Sequence, residues 1–324
     1  MLTLNKMHDF RFPQLIDIKQ AHQRIIAYIH RTPIMTCETI NEMAGCQIYF
    51  KCENFQKVGA FKARGATNSI LKLPPELKKN GVATHSSGNH AAALARAARE
   101  TGTKAYIVMP SNAAAIKKAA VKNYGGEIIE CEPNMKARES TLDKVVKDTG
   151  AAFIPPYDYM DVIEGQATCA LEMWDENIPF DAIIAPVGGG GLLAGTALST
   201  HYISPRTLVY GSEPKGADDA ARSLKAHRII AMEKPKSIAD GLLTSLGKRN
   251  FIVISRYVED IFTVSDEEII DAMRLIFERM KLVVEPSSAV PLAAILTNKE
   301  VFQNKKVGLI LSGGNVDVAK LPIK

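Results

Sequence analysis

The sequence predicts an α/β protein with two domains, each built on a mainly parallel sheet flanked by helices. Short apolar strands alternate with helical patterns along most of the 324 residues, and the strands are too numerous for a simple single sheet. Hydrophobic residues make up 46% of the chain and charged residues 23%, which is typical of folded domains with large cores.

The elements can be predicted in chain order from their periodicity. Apolar residues between Leu15 and Ile29 recur at steps of three and four, which predicts a helix that begins near Pro13 and stops before Thr32. A strand over 47–52 comes next, and Lys62 then lies at a turn into a helix over 63–73. The remaining predicted strands are 82–85, 104–109, 127–131, 181–187, 207–212, 261–264 and 306–311, and the remaining predicted helices are 89–100, 112–124, 136–148, 162–176, 192–202, 266–280 and 287–297.

Composition excludes several classes of function. The net charge is +5, but the basic residues are spread out, so we expect no nucleic-acid partner. The five cysteines are odd in number and form no CxxC, which disfavours a disulfide framework or a zinc site. The sequence has no apolar stretch that would span a membrane and no signal-like N-terminus, so we expect a soluble, cytoplasmic protein.

Three glycine- or serine-rich loops follow predicted strands. They are Ser86-Ser-Gly-Asn-His90, the tetraglycine Gly188–Gly191, and Ser312-Gly-Gly-Asn315. Because function gathers where parallel strands end, we expect these loops to meet in one crevice.

The tetraglycine and Lys62 together indicate a cofactor. Consecutive glycines let backbone N–H groups close around a phosphate at a helix start. Lys62 lies between Gly59 and Gly65, and the neighbouring Phe61 and Arg64 should lower the pKa of its amine. A neutral lysine amine forms a Schiff base with an aldehyde, so the pair suggests pyridoxal phosphate.

A nicotinamide-dependent dehydrogenase remains open at this point. Gly189-x-Gly191-x-x-Ala194 also fits the dinucleotide-binding pattern, and Glu213 ends the next predicted strand, where an acid would meet a ribose hydroxyl. A tight turn without any ligand would explain the glycines as well.

The other candidates each have a structural alternative. The 86–90 loop either caps its helix or offers N–H groups to a substrate carboxylate, and His90 is a core residue or a proton-transfer group. Glu213 and Asp219 lie in an acidic loop that is either solvated or binds a hard cation. Ser312 is a turn residue by default, but its hydroxyl could meet a ring nitrogen.

Taken together, the segments 59–65, 86–90, 188–192 and 312–315 resemble the fold-type II pyridoxal-phosphate enzymes, which include the serine/threonine dehydratases and the serine racemases. The resemblance covers nearly the whole chain. The racemase group is the more similar, because threonine dehydratases typically have Ser-Ala-Gly-Asn-His where this chain has a second serine, Ser87. The chain also ends soon after Ser312, without room for the regulatory domain of the biosynthetic threonine dehydratases.

The resemblance implies a tryptophan synthase β-like fold. Residues 1–80 and 153–324 would form a large cofactor-binding domain and residues 81–152 a small one, with the active site in the cleft between them. The implied activity is racemisation of L-serine to D-serine, with β-elimination of serine to pyruvate and ammonia. A dehydratase of L-threonine, L-serine or threo-3-hydroxyaspartate is the alternative, because the loop at Glu285 departs modestly from the racemase pattern.

The resemblance also implies residue roles. Lys62 would carry the cofactor and act as base on one face of the substrate, and Ser87 would be the acid and base on the other. The further implied sets are Phe61, Asn89, Gly188, Gly189, Gly190, Gly191, Leu192 and Ser312 for the cofactor, Ser86, Ser87, His90 and Arg138 for the amino-acid substrate, Glu213, the Ala217 carbonyl and Asp219 for Mg²⁺ (or Ca²⁺ or Mn²⁺), and Lys57, Tyr124 and Asn315 for ATP as an allosteric effector of a homodimer.

Overall fold

The computed structural model describes residues 11–317 and 319, and it contains two sheets, as predicted. Numbered along the chain, the strands are β1 (Ile34–Met35), β2 (Gln47–Cys52), β3 (Val82–His85), β4 (Ala105–Pro110), β5 (Glu127–Cys131), β6 (Ala152–Phe153), β7 (Ala182–Pro186), β8 (Leu208–Pro214), β9 (Asp260–Val264) and β10 (Lys306–Leu311). The larger sheet has the order β1-β2-β10-β7-β8-β9 and the smaller β5-β4-β3-β6. Neighbouring strands are parallel except β1 and β2, so the predicted fold class is confirmed.

Helices cover both faces of the sheets. They are α1 (Leu15–Ile25), α2 (Glu38–Ala44), α3 (Lys62–Lys72), α4 (Pro75–Lys78), α5 (Asn89–Glu100), α6 (Ala115–Asn123), α7 (Met135–Thr149), α8 (Met160–Trp174), α9 (Gly191–Ile203), α10 (Asp219–Lys225), α11 (Lys248–Tyr257), α12 (Asp266–Leu275), α13 (Pro286–Thr297) and α14 (Lys299–Phe302). Within the described ranges, every helix is too short or too polar to cross a bilayer.

The apolar strands explain this layering. All five residues of β7 are buried, which is typical of a parallel strand covered on both faces. On one face of the larger sheet the core comes from α2, α12 and α13, and on the other from α1, α8, α9 and α11. The smaller sheet is covered by α3, α5 and α6 on one face and by α7 on the other. Each fully buried aliphatic side chain stabilises the fold by roughly 1.5–3 kcal/mol.

Helices α3, α8 and α9 cross at glycines. A methyl group added at Gly165 would lie 2.6 Å from the Cα atom of Gly65, and one added at Gly195 would lie 2.6 Å from the backbone nitrogen of Ala167. Only glycine fits such close backbone approaches. Since α3 begins at Lys62, these crossings fix the position of that lysine relative to the larger sheet.

A buried ion cluster lies under the start of α3 and consists of Lys51, Glu53, Arg64 and Glu172. Arg64 donates through Nε to Glu53 Oε2 at 2.7 Å and through Nη1 to Glu172 Oε1 at 2.8 Å. Lys51 Nζ donates to Glu172 Oε2 at 2.6 Å. The four side chains are at most 1% exposed, and the two positive charges match the two negative ones.

Several elements differ from the predicted ones. The first helix ends at Ile25 rather than near Thr32, and the helix predicted over 266–280 ends as α-helix at Leu275, followed by a π-turn that stops at Lys281 in the left-handed region. The predicted limit between the domains, 152/153, falls within β6, which pairs with β3. The domain division stays a prediction, and its outer ends lie beyond the described residues.

Candidate active site

Lys62 is held at the first position of α3 among apolar groups. Its Nζ donates to the carbonyl of Pro156 at 2.6 Å, and it lies 5.1 Å from the ring centroid of Phe61 and 6.0 Å from that of Tyr157. Burial lowers the pKa of Lys62 to about 8, against the opposing effect of the Glu285 charge. The sequence predicted this direction from two causes, the apolar Phe61 and the charge of Arg64. Burial agrees with the first, whereas the second was wrong, because the Arg64 guanidinium belongs to the buried ion cluster.

The tetraglycine forms a turn between β7 and α9, which we call the glycine turn (Gly188–Gly191). Gly190 has φ +89°, a conformation that favours glycine. A Cβ atom at Gly189 would lie 2.3 Å from Cγ of Tyr157, so the tyrosine ring covers the turn on one side. Because the same ring faces Lys62, the structure brings the lysine and the glycine turn to one site. The N–H groups at the start of α9 are the ones that a phosphate would use.

Asn89, at the first position of α5, joins the 86–90 loop to two other segments. Its Nδ2 donates to the carboxylate of Glu285, at 3.0 Å to Oε1, and its Oδ1 accepts from Asn315 Nδ2 at 2.9 Å. Burial raises the pKa of Glu285 to about 7, and the hydrogen bond from Asn89 opposes that rise. Two of the three predicted loops therefore meet through Asn89.

The serine and histidine of the 86–90 loop differ in their surroundings. His90 is buried with Nε2 at 3.1 Å from the Ile154 carbonyl, and its Nδ1 has no partner. Burial, and secondly the charge of Lys62, lower the pKa of His90 to about 3, so the ring is neutral. Ser86 Oγ accepts from the Gly88 N–H at 3.4 Å, a bond within the turn before α5. The N-cap residue of α5 is Gly88, which makes no side-chain cap, so the predicted capping by the serines of this loop is wrong. Ser87 is half-buried, and its hydroxyl makes no hydrogen bond within the described residues.

Arg138 lies near this loop on α7. Its charge contributes to lowering the pKa of His85, the residue that precedes Ser86, although burial is the main cause. The Nε atom of Arg138 is buried and has no partner among the described residues. A buried guanidinium donor without an acceptor fits an anionic ligand group.

Ser312 lies beside the lysine loop. The Phe61 N–H donates to the Ser312 carbonyl at 3.0 Å, and Ala60 bridges to Gly313. The Ser312 hydroxyl is buried and lies 3.1 Å from Ser288 Oγ. The third predicted loop thus reaches the same site.

The carboxylates of Glu213 and Asp219 are both buried. Glu213 Oε2 accepts from the Ala221 N–H at 2.9 Å, Asp219 Oδ2 accepts from the Leu246 N–H at 2.8 Å, and Asp219 Oδ1 has no partner. Burial raises the pKa of both groups, and the charge of Asp219 raises that of Glu213 further. No cluster of three His, Cys, Asp or Glu side chains suits a metal in the described part of the chain. Two adjacent buried carboxylates with a free oxygen nevertheless fit a hard cation, whose third predicted ligand is a carbonyl.

The three residues predicted for ATP are spread along α5. Tyr124 packs under the guanidinium of Arg99, 5.4 Å from its carbon, near the C-terminal end of α5. Asn315 contacts Asn89 at the N-terminal end, and α5 is about 17 Å long. Lys57 is next to Val58, whose carbonyl accepts from Asn315 Nδ2 at 2.7 Å.

Two neighbours of the lysine, Pro156 and Tyr157, were not found by sequence reasoning. They lie in the connection between β6 and α8, 94 residues from Lys62 in the case of Pro156, and no local motif marks them. Only the position of this connection after a strand of a parallel sheet would have pointed to it.

Comparison with known proteins gives concordant matches. A family model described as "Pyridoxal-phosphate dependent enzyme" matches residues 25–313. The chain is 50% identical over 310 residues to a beta-hydroxyaspartate dehydratase of Paracoccus denitrificans, covering 96% of this chain and 98% of that protein. It is 46% identical over 313 residues to a serine racemase of Dictyostelium discoideum, covering 95% and 96%. The structure of maize serine racemase aligns with a TM-score of 0.94 at 44% identity, over 96% of both chains.

Proposed function

Because this chain belongs to the family of pyridoxal-phosphate dependent enzymes, we propose that it racemises L-serine to D-serine and also converts serine to pyruvate and ammonia. The observation that carries the proposal is a half-buried lysine, Lys62, whose pKa is lowered and which lies beside the glycine turn, with a half-buried serine hydroxyl, that of Ser87, in a loop joined to the same site. Family membership disfavours the nicotinamide-dependent dehydrogenase. The position of Glu213 disfavours it too, because its carboxylate accepts from a backbone N–H of α10 rather than facing a site for a ribose hydroxyl.

The residues fit the cofactor. We assign its aldehyde to Lys62, its phosphate to Gly188–Leu192, its ring to Phe61 and Asn89, and its pyridine nitrogen to Ser312. Support comes from the left-handed Gly190, the N–H groups at the start of α9 and the buried hydroxyl of Ser312. When bound, pyridoxal phosphate withdraws electrons from the substrate Cα and acidifies the proton there.

In the proposed reaction the chain's own residues move protons. The Lys62 amine, whose lowered pKa favours the neutral form, takes the Cα proton. For inversion, the Ser87 hydroxyl supplies a proton to Cα from the other side. For elimination, the β-hydroxyl leaves Cβ with a proton as water. The unsaturated amine that is released is then hydrolysed to pyruvate and ammonia. We assign the substrate to Ser86, His90 and Arg138, and its carboxylate to Arg138, supported by the unpartnered Nε of Arg138.

A second candidate function is dehydration of threo-3-hydroxyaspartate. The 50% identity to the Paracoccus dehydratase favours it, and a yeast L-threo-3-hydroxyaspartate ammonia-lyase is 45% identical over 95% of this chain. Both activities begin with removal of the Cα proton, so the same lysine would serve either substrate. Threonine or serine dehydration without racemisation belongs to the same alternative.

We further propose regulatory and assembly properties that the resemblance suggests. Mg²⁺ would bind Glu213, Asp219 and the Ala217 carbonyl, supported by the free carboxylate oxygen of Asp219. ATP would bind near Lys57, Tyr124 and Asn315 as an effector, and the protein would act as a cytoplasmic homodimer. The two domains, 1–80 with 153–324 and 81–152, would enclose the active site.

One incubation tests the main proposal. The purified holoenzyme is given L-serine, Mg²⁺ and ATP, and D-serine and pyruvate are measured together by chiral chromatography and a coupled assay. We expect both products. A parallel incubation with L-threo-3-hydroxyaspartate tests the second candidate through oxaloacetate. Pyruvate or oxaloacetate without any D-serine would overturn the racemase proposal and leave a dehydratase.

A further inference from the structure

The connection between β6 and α8 touches three parts of the candidate active site, namely the 86–90 loop, Lys62 and the glycine turn. We call residues 154–158 the site strap. The Ile154 carbonyl lies 3.1 Å from Nε2 of His90, the Pro156 carbonyl accepts from Lys62 Nζ at 2.6 Å, and the Tyr157 ring covers Gly189. The strap is therefore placed to set the positions of the lysine amine and of one side of the glycine turn.

The strap is tied to α11 chiefly by one carboxylate, and Arg249 Nη1 adds one hydrogen bond to the backbone carbonyl of Asp158 at 3.0 Å. Asp158 accepts from the backbone N–H groups of Lys248 at 3.1 Å, Arg249 at 2.8 Å and Asn250 at 3.3 Å. These are the first three residues of α11, and the residue at the N-cap position is Gly247, which has no side chain to cap them. Asp158 thus supplies the cap from another segment, and its negative charge meets the positive end of the helix.

The start of α11 also holds the glycine turn. The Gly189 carbonyl accepts from the Gly247 N–H at 3.1 Å and from Asn250 Nδ2 at 2.6 Å. The turn therefore lies between α11 and the ring of Tyr157, and Asp158 connects these two sides. Loss of its carboxylate would remove the three hydrogen bonds to the start of α11 and leave the bond from Arg249 Nη1 to the backbone carbonyl of residue 158, without removing any group that touches the turn.

We propose that Asp158 is a positioning residue whose carboxylate ties the site strap to α11, and so holds Tyr157 against the glycine turn and the Pro156 carbonyl beside Lys62. The proposal rests on the assignment of the cofactor phosphate to the glycine turn. It goes beyond the roles implied by the family, since Asp158 touches neither the lysine nor the turn itself.

The competing explanation is that Asp158 only caps α11. An exchange of two residues distinguishes this role from that of a tether, by which we mean a link between the site strap and α11. Gly247 has φ −70° and ψ 146°, which any residue adopts, and a Cβ atom there would lie 2.6 Å from Cγ of Asp158. In the double variant Asp158→Gly with Gly247→Asp, the new carboxylate begins where the old one was. It can cap α11, but it belongs to that segment, so the carboxylate no longer ties the strap to α11; the bond from Arg249 Nη1 to the backbone carbonyl of residue 158 is the same in all three proteins.

The test compares Asp158→Gly, the double variant and the wild type. Thermal unfolding of the apoproteins reports capping, and equilibrium dialysis of pyridoxal phosphate, followed by absorbance, reports the cofactor site without any substrate. For Asp158→Gly we expect a melting temperature lower by about 2–4 °C and a cofactor dissociation constant raised about tenfold. In the double variant the melting temperature should recover while the dissociation constant stays raised.

Recovery of both quantities in the double variant would overturn the tether and leave only a cap, and so would unchanged cofactor affinity in Asp158→Gly. If that variant does not fold, Asp158→Ala replaces it, because alanine removes both carboxylate oxygens without the backbone freedom of glycine; wild-type affinity in Asp158→Ala would equally overturn the proposal. Gly190→Ala is the control for the phosphate assignment, since alanine is strained at φ +89°. If Gly190→Ala keeps wild-type affinity, the phosphate assignment fails; if it loses affinity while the Asp158 variants keep theirs, the tether alone fails.

Discussion

Removal of Arg64 should destabilise the protein far more than removal of an exposed arginine with the same kind of partners. Arg64 donates five hydrogen bonds, two to Glu53, two to Glu172 and one to the Thr168 hydroxyl. Arg31 is the matched control, since it also bridges two carboxylates, Asp175 and Glu176, at 2.9 Å each. The two sites differ in burial, because the Arg64 side chain is 0% exposed and that of Arg31 is 46% exposed.

The size of the stability loss in each variant follows from the charge that the substitution leaves without a partner. In Arg64→Ala the buried Glu172 keeps Lys51, but the buried Glu53 keeps only the hydrogen bond from the Thr32 hydroxyl among the described residues, and breaking such a buried pair costs about 3–5 kcal/mol. In Arg31→Ala water solvates the carboxylates, so the loss should be about 0–1 kcal/mol. Because a whole domain is stable by only about 5–15 kcal/mol, the first change removes a large share of the stability and the second does not.

Urea unfolding followed by circular dichroism measures both variants against the wild type. The difference between the stability losses of the two variants should become smaller in acid. Burial alone would raise the pKa of Glu172, but the hydrogen bonds and charge of Arg64 hold that pKa below its ordinary value. A depressed carboxyl pKa stabilises the folded state above the unfolded pKa, and this contribution is lost as pH falls through the folded value. Equal losses in Arg64→Ala and Arg31→Ala at neutral pH would refute the reasoning.

Three further predictions concern the site. Ser87→Ala should retain pyruvate formation from L-serine and lose D-serine formation at least about tenfold, measured in one reaction mixture; equal loss of both would remove Ser87 from the inversion step. The rate at which the apoprotein binds pyridoxal phosphate should rise with pH, with a midpoint near 8 rather than 10.5, because only the neutral Lys62 amine attacks the aldehyde. Stopped-flow absorbance measures this rate, and a midpoint near 10 would contradict the lowered pKa of Lys62. Mg²⁺ at a hundredfold excess over its dissociation constant should raise the melting temperature by about 5 °C, and Asp219→Asn should abolish that rise; an equal rise in the variant would place the cation elsewhere.

Elements with strong local patterns were predictable. The strands Val82–His85 and Glu127–Cys131 and the helix Asn89–Glu100 were predicted with the bounds that the structure has. Their apolar runs and polar ends are local signals, which sequence periodicity reports. The two-residue strands β1 and β6 were missed because two residues carry no period. Helix α11 was missed for another reason: its start is capped by Asp158, which lies 90 residues earlier. Helix α10 was missed as well.

The candidate active site was likewise predictable only where its own residues carry a local pattern. Lys62, the glycine turn and the 86–90 and 312–315 loops are marked by their own residues, and the structure brings them together. The partners that set their properties are not marked in this way. Tyr157 and the Pro156 carbonyl meet Lys62 only through the fold, and the lowered pKa of Lys62 arises from burial, which depends on tertiary packing.

The glycine crossing of α3, α8 and α9 has a consequence for how this enzyme can change. Where backbone meets backbone, a larger residue cannot be accommodated by a shift of neighbouring side chains, so Gly65, Gly165 and Gly195 leave the lysine-bearing helix no adjustable contact there. Mutational libraries aimed at new amino-acid substrates should therefore spare these three positions. Variation is better placed at half-buried positions such as Ser86 and Arg138, which we assign to the substrate and which lie outside this crossing.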